Sequence, residues 1–175
     1  MSEITVVRTS RQEIEVYRFG AVVSILLPLL ALVIQAFVPL KLHFFAIIDL
    51  PLLITIFFGV ARRSQSAGLF TGAIIGLLQD TLAHQPIGLY GISKTVVGYG
   101  ASSLGVKIDI DNPGTRFLVT AAFYLIHQGA YFLVARNILG VAIEWLWLRT
   151  FMGAFVNAVV AIVLFAVLDR FKHSA

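Results

Sequence analysis

Five polar residues lie in stretches of sequence that are otherwise apolar: Asp49, Asp80, Lys94, His127 and Gln128. An ionisable side chain inside a bilayer costs about 3 kcal/mol on insertion scales, so each such residue is a functional candidate by default. Two chemistries suit the set. A buried Asp–Lys pair can fix helix register and partner choice. Alternatively, the same groups can line a polar cavity that holds a ligand or a partner's side chain. Catalysis would need more than carboxylates: a nucleophile, a base that orients it, and oxyanion donors. The sequence offers no such constellation. His43, His84, His127 and His173 are scattered, with no i,i+4 pair to hold a metal. The chain has no cysteine, which removes thiolate nucleophiles, disulfides and Cys-based metal sites. It has no G-x-x-x-x-G-K-[ST] phosphate loop. No catalytic residue, metal or cofactor is expected, and the one enzymatic alternative, chemistry on lipid, would rest on Asp80 and His127.

The elements that position these residues follow from composition. The chain has 175 residues, 59% hydrophobic and 13% charged. Its mean hydropathy is +0.93. Soluble domains run at about 45–50% apolar and about 25% charged, so the apolar excess has to face lipid. The apolar stretches are continuous rather than alternating, which selects helices over a β-barrel. The expected class is an all-α polytopic membrane protein of about six spans in a single domain. The spans fall at about 19–40, 44–61, 66–83, 87–106, 117–135 and 150–168. Residues 1–18 form a polar amino-terminal segment and 169–175 a polar tail. The first span is too long for a signal peptide and lacks a small-residue cleavage site, so it is retained. Pro28 is expected to kink it. Lys107–Arg116 (KIDIDNPGTR) is the clear hydrophilic loop, with Asn112-Pro113-Gly114 as turn chemistry.

Six spans sort the positive charges sharply. Arg8, Arg11, Arg18, Arg62, Arg63, Lys107, Arg116, Arg170 and Lys172 fall on one side; Lys41, Arg136 and Arg149 fall on the other. The positive-inside rule then places both termini in the cytoplasm. The basic excess therefore reads as topology, and nucleic acid is not an expected partner. Trp145 and Trp147, the two tryptophans, lie on the outer side beside Glu144 and Arg149. They mark residues 139–149 as an interfacial segment, either an anchor in the headgroup layer or a docking surface.

Small residues supply the packing. The third span carries Gly68, Gly72 and Gly76, two overlapping G-x-x-x-G steps on one face. The fourth carries Gly91, Gly98 and Gly105 at heptad spacing. A short connection makes these spans antiparallel neighbours, and their glycines should let them approach closely; a homodimer face is the alternative reading. Asp49, Asp80 and Lys94 all fall in the outer half, and Asp80 is expected near Lys94. His127, near the middle of the fifth span, is expected at a different depth.

The stretch Gly68–Gly105 (GLFTGAIIGLLQDTLAHQPIGLYGISKTVVGYGASSLG) resembles MreD, the small integral-membrane protein of the bacterial rod-shape system. The matching residues are Gly72, Gly76, Asp80, Gly88, Gly91 and Gly98; Lys94 is a feature of this chain. The resemblance implies a non-enzymatic scaffold of the elongasome in the bacterial inner membrane. It implies binding to MreC, and through it links to MreB and to the glycosyltransferase–transpeptidase pair that builds lateral-wall peptidoglycan. MreD also looks like the substrate-binding S components of energy-coupling-factor transporters. That likeness implies an S-component-like bundle and raises a vitamin-uptake alternative, in which Phe44, Phe45, Tyr90 and Trp145 would line a cavity. Membrane lipids are partners on either reading.

Overall fold

A helix that is apolar all round avoids water, either inside a protein core or in lipid, and LPLLITIFFGVAR at 50–62 is such a run. In the computed structural model of the chain it forms the central post. The structure describes residues 17–108, 112–171 and 173–174. Six helices follow in order: α1 (Ala21–Lys41), α2 (Leu50–Arg62), α3 (Gln65–Leu82), α4 (Leu89–Gly105), α5 (Pro113–Leu133) and α6 (Trp147–Leu168). A 3-10 turn, His43–Ile47, leads into α2, and a π turn, Val134–Ile138, extends α5. Pro51 through Ala61 of α2 are all buried. α2 touches each of the other five helices. Phe57 and Phe58 anchor an aromatic cluster with Phe19 and Phe165 around it.

The chain returns to where it started. Tyr17–Arg18 (β1) pairs antiparallel with His173–Ser174 (β2). The two described ends therefore lie at one end of the bundle, as an even number of passes requires. Arg62, Arg63, Arg116 and Arg170 belong to that end. The connections 42–49, 83–88 and 139–146 lie at the other.

Helix boundaries follow local chemistry. Arg63 closes α2 in the left-handed region (φ 53°), and Ser64 caps α3 by accepting from the Ala67 amide at 3.4 Å. α5 begins earlier than the expected 117. Asn112 accepts from the Gly114 amide at 2.8 Å and Pro113 takes the first helical position, so Asn-Pro-Gly opens the helix instead of making a turn. Arg116 consequently leaves the loop, lies buried in the first turn of α5 and pairs with Asp169. α6 starts at Trp147 rather than at 150, and residues 140–146 are not helical. α1 runs on through Pro28 and Pro39.

Four segments are long and apolar enough to cross a membrane: Val22–Lys41, His43–Arg62, Pro113–Ile138 and Trp147–Phe171. α3 and α4 fall outside that set. At 1.5 Å per residue they measure about 27 and 26 Å. Their apolarity is diluted by glycine, serine and threonine. Those small residues buy proximity: a Cβ on Gly72 would stand 2.1 Å from the Lys94 carbonyl oxygen, and one on Gly98 would stand 2.2 Å from that of Gly68. Gly68 and Gly76 meet α4 as closely. A Cβ on Gly91 would meet the flexible end of Leu77 at 2.8 Å and Asp80 Oδ2 at 3.5 Å. Gly105 faces α2, where a Cβ would stand 2.4 Å from the Val60 carbonyl oxygen, so the heptad glycines of α4 serve two neighbours.

Candidate functional site

The site lies at the end of the bundle opposite the β1–β2 pair, where α2 and α4 begin and α3 and α5 end. Asp49 caps α2. Its Oδ1 accepts from the Leu52 amide at 3.0 Å, and its Oδ2 accepts from Lys94 Nζ at 2.7 Å. Lys94, on the second turn of α4, is fully buried. Its Nζ lies 3.4 Å from His127 Nε2 and 5.3 Å from the centre of the Tyr90 ring. An ammonium group has donors only, so His127 Nε2 accepts and the ring hydrogen of a neutral imidazole sits on Nδ1. Tyr90 stacks on His127 with centroids 6.0 Å apart and ring planes 7° from parallel.

Asn157 ties α6 to this group. Its Oδ1 accepts from the Asp49 amide at 2.8 Å, and its Nδ2 donates to the carbonyls of Ile47 (2.8 Å) and Gly153 (2.9 Å). Gln35 of α1 accepts from the Leu50 amide at 3.1 Å. The first turn of α2, whose amides have no partner inside the helix, is thus held by side chains from α1 and α6. The carboxylate of that turn is held by α4.

Asp80 has a different task from the one expected. It does not pair with Lys94. Its Oδ2 accepts from the amides of Gly88 (2.8 Å) and Gly91 (3.1 Å), and its Oδ1 accepts from the amide of Tyr90 (2.8 Å). The last turn of α3 thereby caps the first turn of α4. A carboxylate there meets the free amides and the positive end of the helix dipole. Gly88, at φ 103°, makes the bend that aims those amides at Asp80. Lys94 instead takes Asp49. Both Asp80 oxygens are engaged by backbone amides.

His127 also departs from expectation by meeting Lys94. Leu89 packs against Val134 and Ala135, so α5 and its π turn project past the start of α4. The middle of the longer helix is therefore level with the second turn of the shorter one. Gln128 donates to the Tyr124 hydroxyl at 2.9 Å.

Above this floor is a cavity of about 270 Å³. Asp49, Gln79, Tyr90, His127, Tyr131 and Trp145 line it, and Glu144 and Arg149 stand at its margin. Tyr90 and Trp145 are thus at the cavity as the uptake alternative supposed. Phe44 and Phe45 are not among its lining residues and pack on each other. Trp145 packs edge-on against Phe132 and Trp147, and Trp147 stacks on Phe151 within α6. The residues missed in the sequence are Gln35, Gln79, Tyr131 and Asn157. Asn157 carries a readable signal, a lone amide inside AFVNAVVA.

The geometry defines a six-helix membrane bundle, stapled by a glycine seam and an intramembrane ion pair, with a polar cavity at one end. The description "rod shape-determining protein MreD" matches residues 17–174. The chain belongs to the MreD family. No curated protein and no solved structure matches it, so the likeness to S components is not shown. MreD is a family of shape-determining membrane proteins, and the chain's role is in rod-shape determination.

Proposed function

We propose that this protein is the inner-membrane scaffold subunit of the bacterial elongation complex, with both termini in the cytoplasm. It binds the transmembrane helix of MreC and so connects, indirectly, MreB to the glycosyltransferase–transpeptidase pair that makes lateral-wall peptidoglycan. The observation that carries this reading is the family match over residues 17–174. The charge sorting of the sequence supports the orientation: six spans put nine basic residues on one side and three on the other. Two outer helices support a docking role. α1 exposes Val22, Ile25, Leu26, Leu29, Leu30, Val33 and Phe37, and α6 exposes Phe151, Phe155, Val159 and Val163. These faces suit lipid or a partner's helix. Coupling is steric and works by shifting conformer populations; no bond is made or broken. The basic face also attracts anionic lipid, at about 1 kcal/mol per Lys or Arg near the surface.

The test is co-purification with MreC from membranes, joined to rescue of rod shape in cells lacking their own MreD. Stoichiometric capture of MreC and restored rods are expected. Restored rods without MreC capture would overturn the partner assignment, and failure of both would overturn the scaffold reading.

A further inference from the structure

The bundle is not equally tall on all sides. α1 and α6, of 21 and 22 residues, measure about 32 and 33 Å, whereas α3 and α4, of 18 and 17 residues, measure about 27 and 26 Å. The hydrocarbon core of an ordinary bilayer is about 30 Å thick. Tilt only shortens the reach of a helix across that core, so the two smaller lengths are upper bounds.

The flanking chain does not make up the difference. Residues 83–88 join α3 to α4 without helix, and Ala83 through Ile87 are exposed. At the other end the exposed Ser64 precedes α3, and the exposed Val106, Lys107 and Ile108 follow α4, again outside the helices. Irregular backbone that faces lipid is excluded from the hydrocarbon, because its amides and carbonyls would go unpaired. The side chains mark a narrower band still. Exposed apolar residues of α3 run from Phe70 to Leu82, about 18 Å along the axis, against about 30 Å from Trp147 to Val167 on α6. Gln65 and Ser66 are exposed before the α3 band, and His84 and Gln85 after it. The surface between is bulky: Phe70, Ile74 and Leu78 on α3, and Ile92, Val96 and Tyr99 on α4. No charged residue from 67 to 106 is exposed. Helices that dock closely in lipid do so through small residues, and here Gly68, Gly72, Gly76 and Gly98 are turned inward to the seam. What remains outside suits acyl chains rather than another helix.

We propose that the α3–α4 face is a lipid-interaction surface that selects short acyl chains and thins the bilayer beside it, while α6 meets a bilayer of ordinary depth. A bilayer accommodates a short apolar face by thinning, at a modest cost for each Å of mismatch. Lipids whose chains already fit avoid that cost and so collect at the face. This goes beyond scaffolding; it rests on the six-pass bundle and not on MreC.

The experiment uses the full chain in vesicles of dioleoyl phosphatidylcholine and phosphatidylglycerol. Trp145→Phe and Trp147→Phe remove both native tryptophans. Ile74→Trp then reports from the α3 face, and Val159→Trp, in a separate protein, from the α6 face; both positions are exposed. Each is quenched in turn with brominated phosphatidylcholine of myristoyl length and of oleoyl length. The ratio of short-chain to long-chain quenching should be at least about twofold higher at Ile74→Trp than at Val159→Trp. Should Ile74→Trp lose its helical circular dichroism, Val96→Trp reports from the same face on α4. Equal ratios at the two faces would overturn the proposal. So would quenching at Val159→Trp with none by either lipid on the α3–α4 face, which would place a second copy or another protein there. Neither result bears on co-purification of MreC, so the two readings fail separately.

Discussion

The α3–α4 seam and the Asp49–Lys94–His127 cluster share helix α4 but hold their neighbours by opposite physics. The seam works by removing atoms: Gly68, Gly72 and Gly76 bring two backbones to distances that a single methyl would forbid. Dispersion contacts over that length do the binding, because lipid supplies no hydrophobic drive between helices. The cluster works by adding polar atoms where they are expensive and then satisfying them. Asp49, Lys94, His127 and Asn157 join α2, α4, α5 and α6 through directional bonds. Shape tolerates loss of a hydrogen bond but no added volume. The polar cluster tolerates modest changes of volume but no unpaired charge.

The largest effect should come from breaking the ion pair on one side. Lys94→Met leaves the Asp49 carboxylate without its cation, and removing one member of a buried pair costs about 3–5 kcal/mol. The fall should appear as a lower unfolding midpoint in micelles. Asp49→Asn combined with Lys94→Met should regain most of that loss, since no charge is then left behind. If the double variant is as damaged as the single, the cluster is not held by charge pairing.

Next is the seam. Gly72→Val places a branched side chain where the Lys94 carbonyl oxygen would be 2.1 Å from Cβ. Neither partner is a flexible side chain, so a cost of about 3 kcal/mol, at the upper end for overpacking, is expected. Thermal melts would check it. A value under about 1 kcal/mol would mean that the helices separate freely.

Asp80 belongs to neither region and joins them, from the end of the glycine helix to the start of the lysine helix. Asp80→Asn removes the charge and half the acceptors facing three amides. A loss of about 2 kcal/mol is expected, with increased amide exchange at Tyr90 and Gly91.

How far these regions could be read in the sequence follows from the same distinction. The seam was legible because G-x-x-x-G is periodic and depends on absent atoms, so face and spacing carry it. Even so, heptad spacing did not show that Gly105 turns to α2. The cluster was legible as a set of suspects. Which carboxylate takes Lys94 depends on helix ends, and these shift with capping: Asp80 is drawn away by the amides of Gly88, Tyr90 and Gly91. The position of His127 within its own span does not give its depth, because its level relative to Lys94 depends on how far α5 and its π turn overshoot α4. Asn112-Pro113-Gly114 reads equally as a turn and as a helix start, and only the capping bond to Gly114 decides.

The smallest effects make the sharpest contrast, because the same kind of truncation can be made in both regions. Asn157→Ala removes two bonds that tie α6 to the approach to α2, at the Asp49 amide and the Ile47 carbonyl, and a third within α6; it should cost about 1 kcal/mol, typical of polar contacts between membrane helices. Ser102→Ala, at the seam, should change stability by less than about 0.5 kcal/mol. The Ser102 hydroxyl donates at 2.9 Å to the Gly98 carbonyl of its own helix, so it carries no bond between helices. A double variant then separates shape from bonding. A Cβ on Gly68 would stand 1.9 Å from Ser102 Oγ, but also 2.3 Å from the Gly98 carbonyl oxygen. Removing the hydroxyl clears the first clash and leaves the second, which is backbone. Ser102→Ala should therefore fail to rescue Gly68→Ala in thermal melts. Full rescue would mean that the helices are kept in register by one serine side chain and that the glycine backbone contact is incidental.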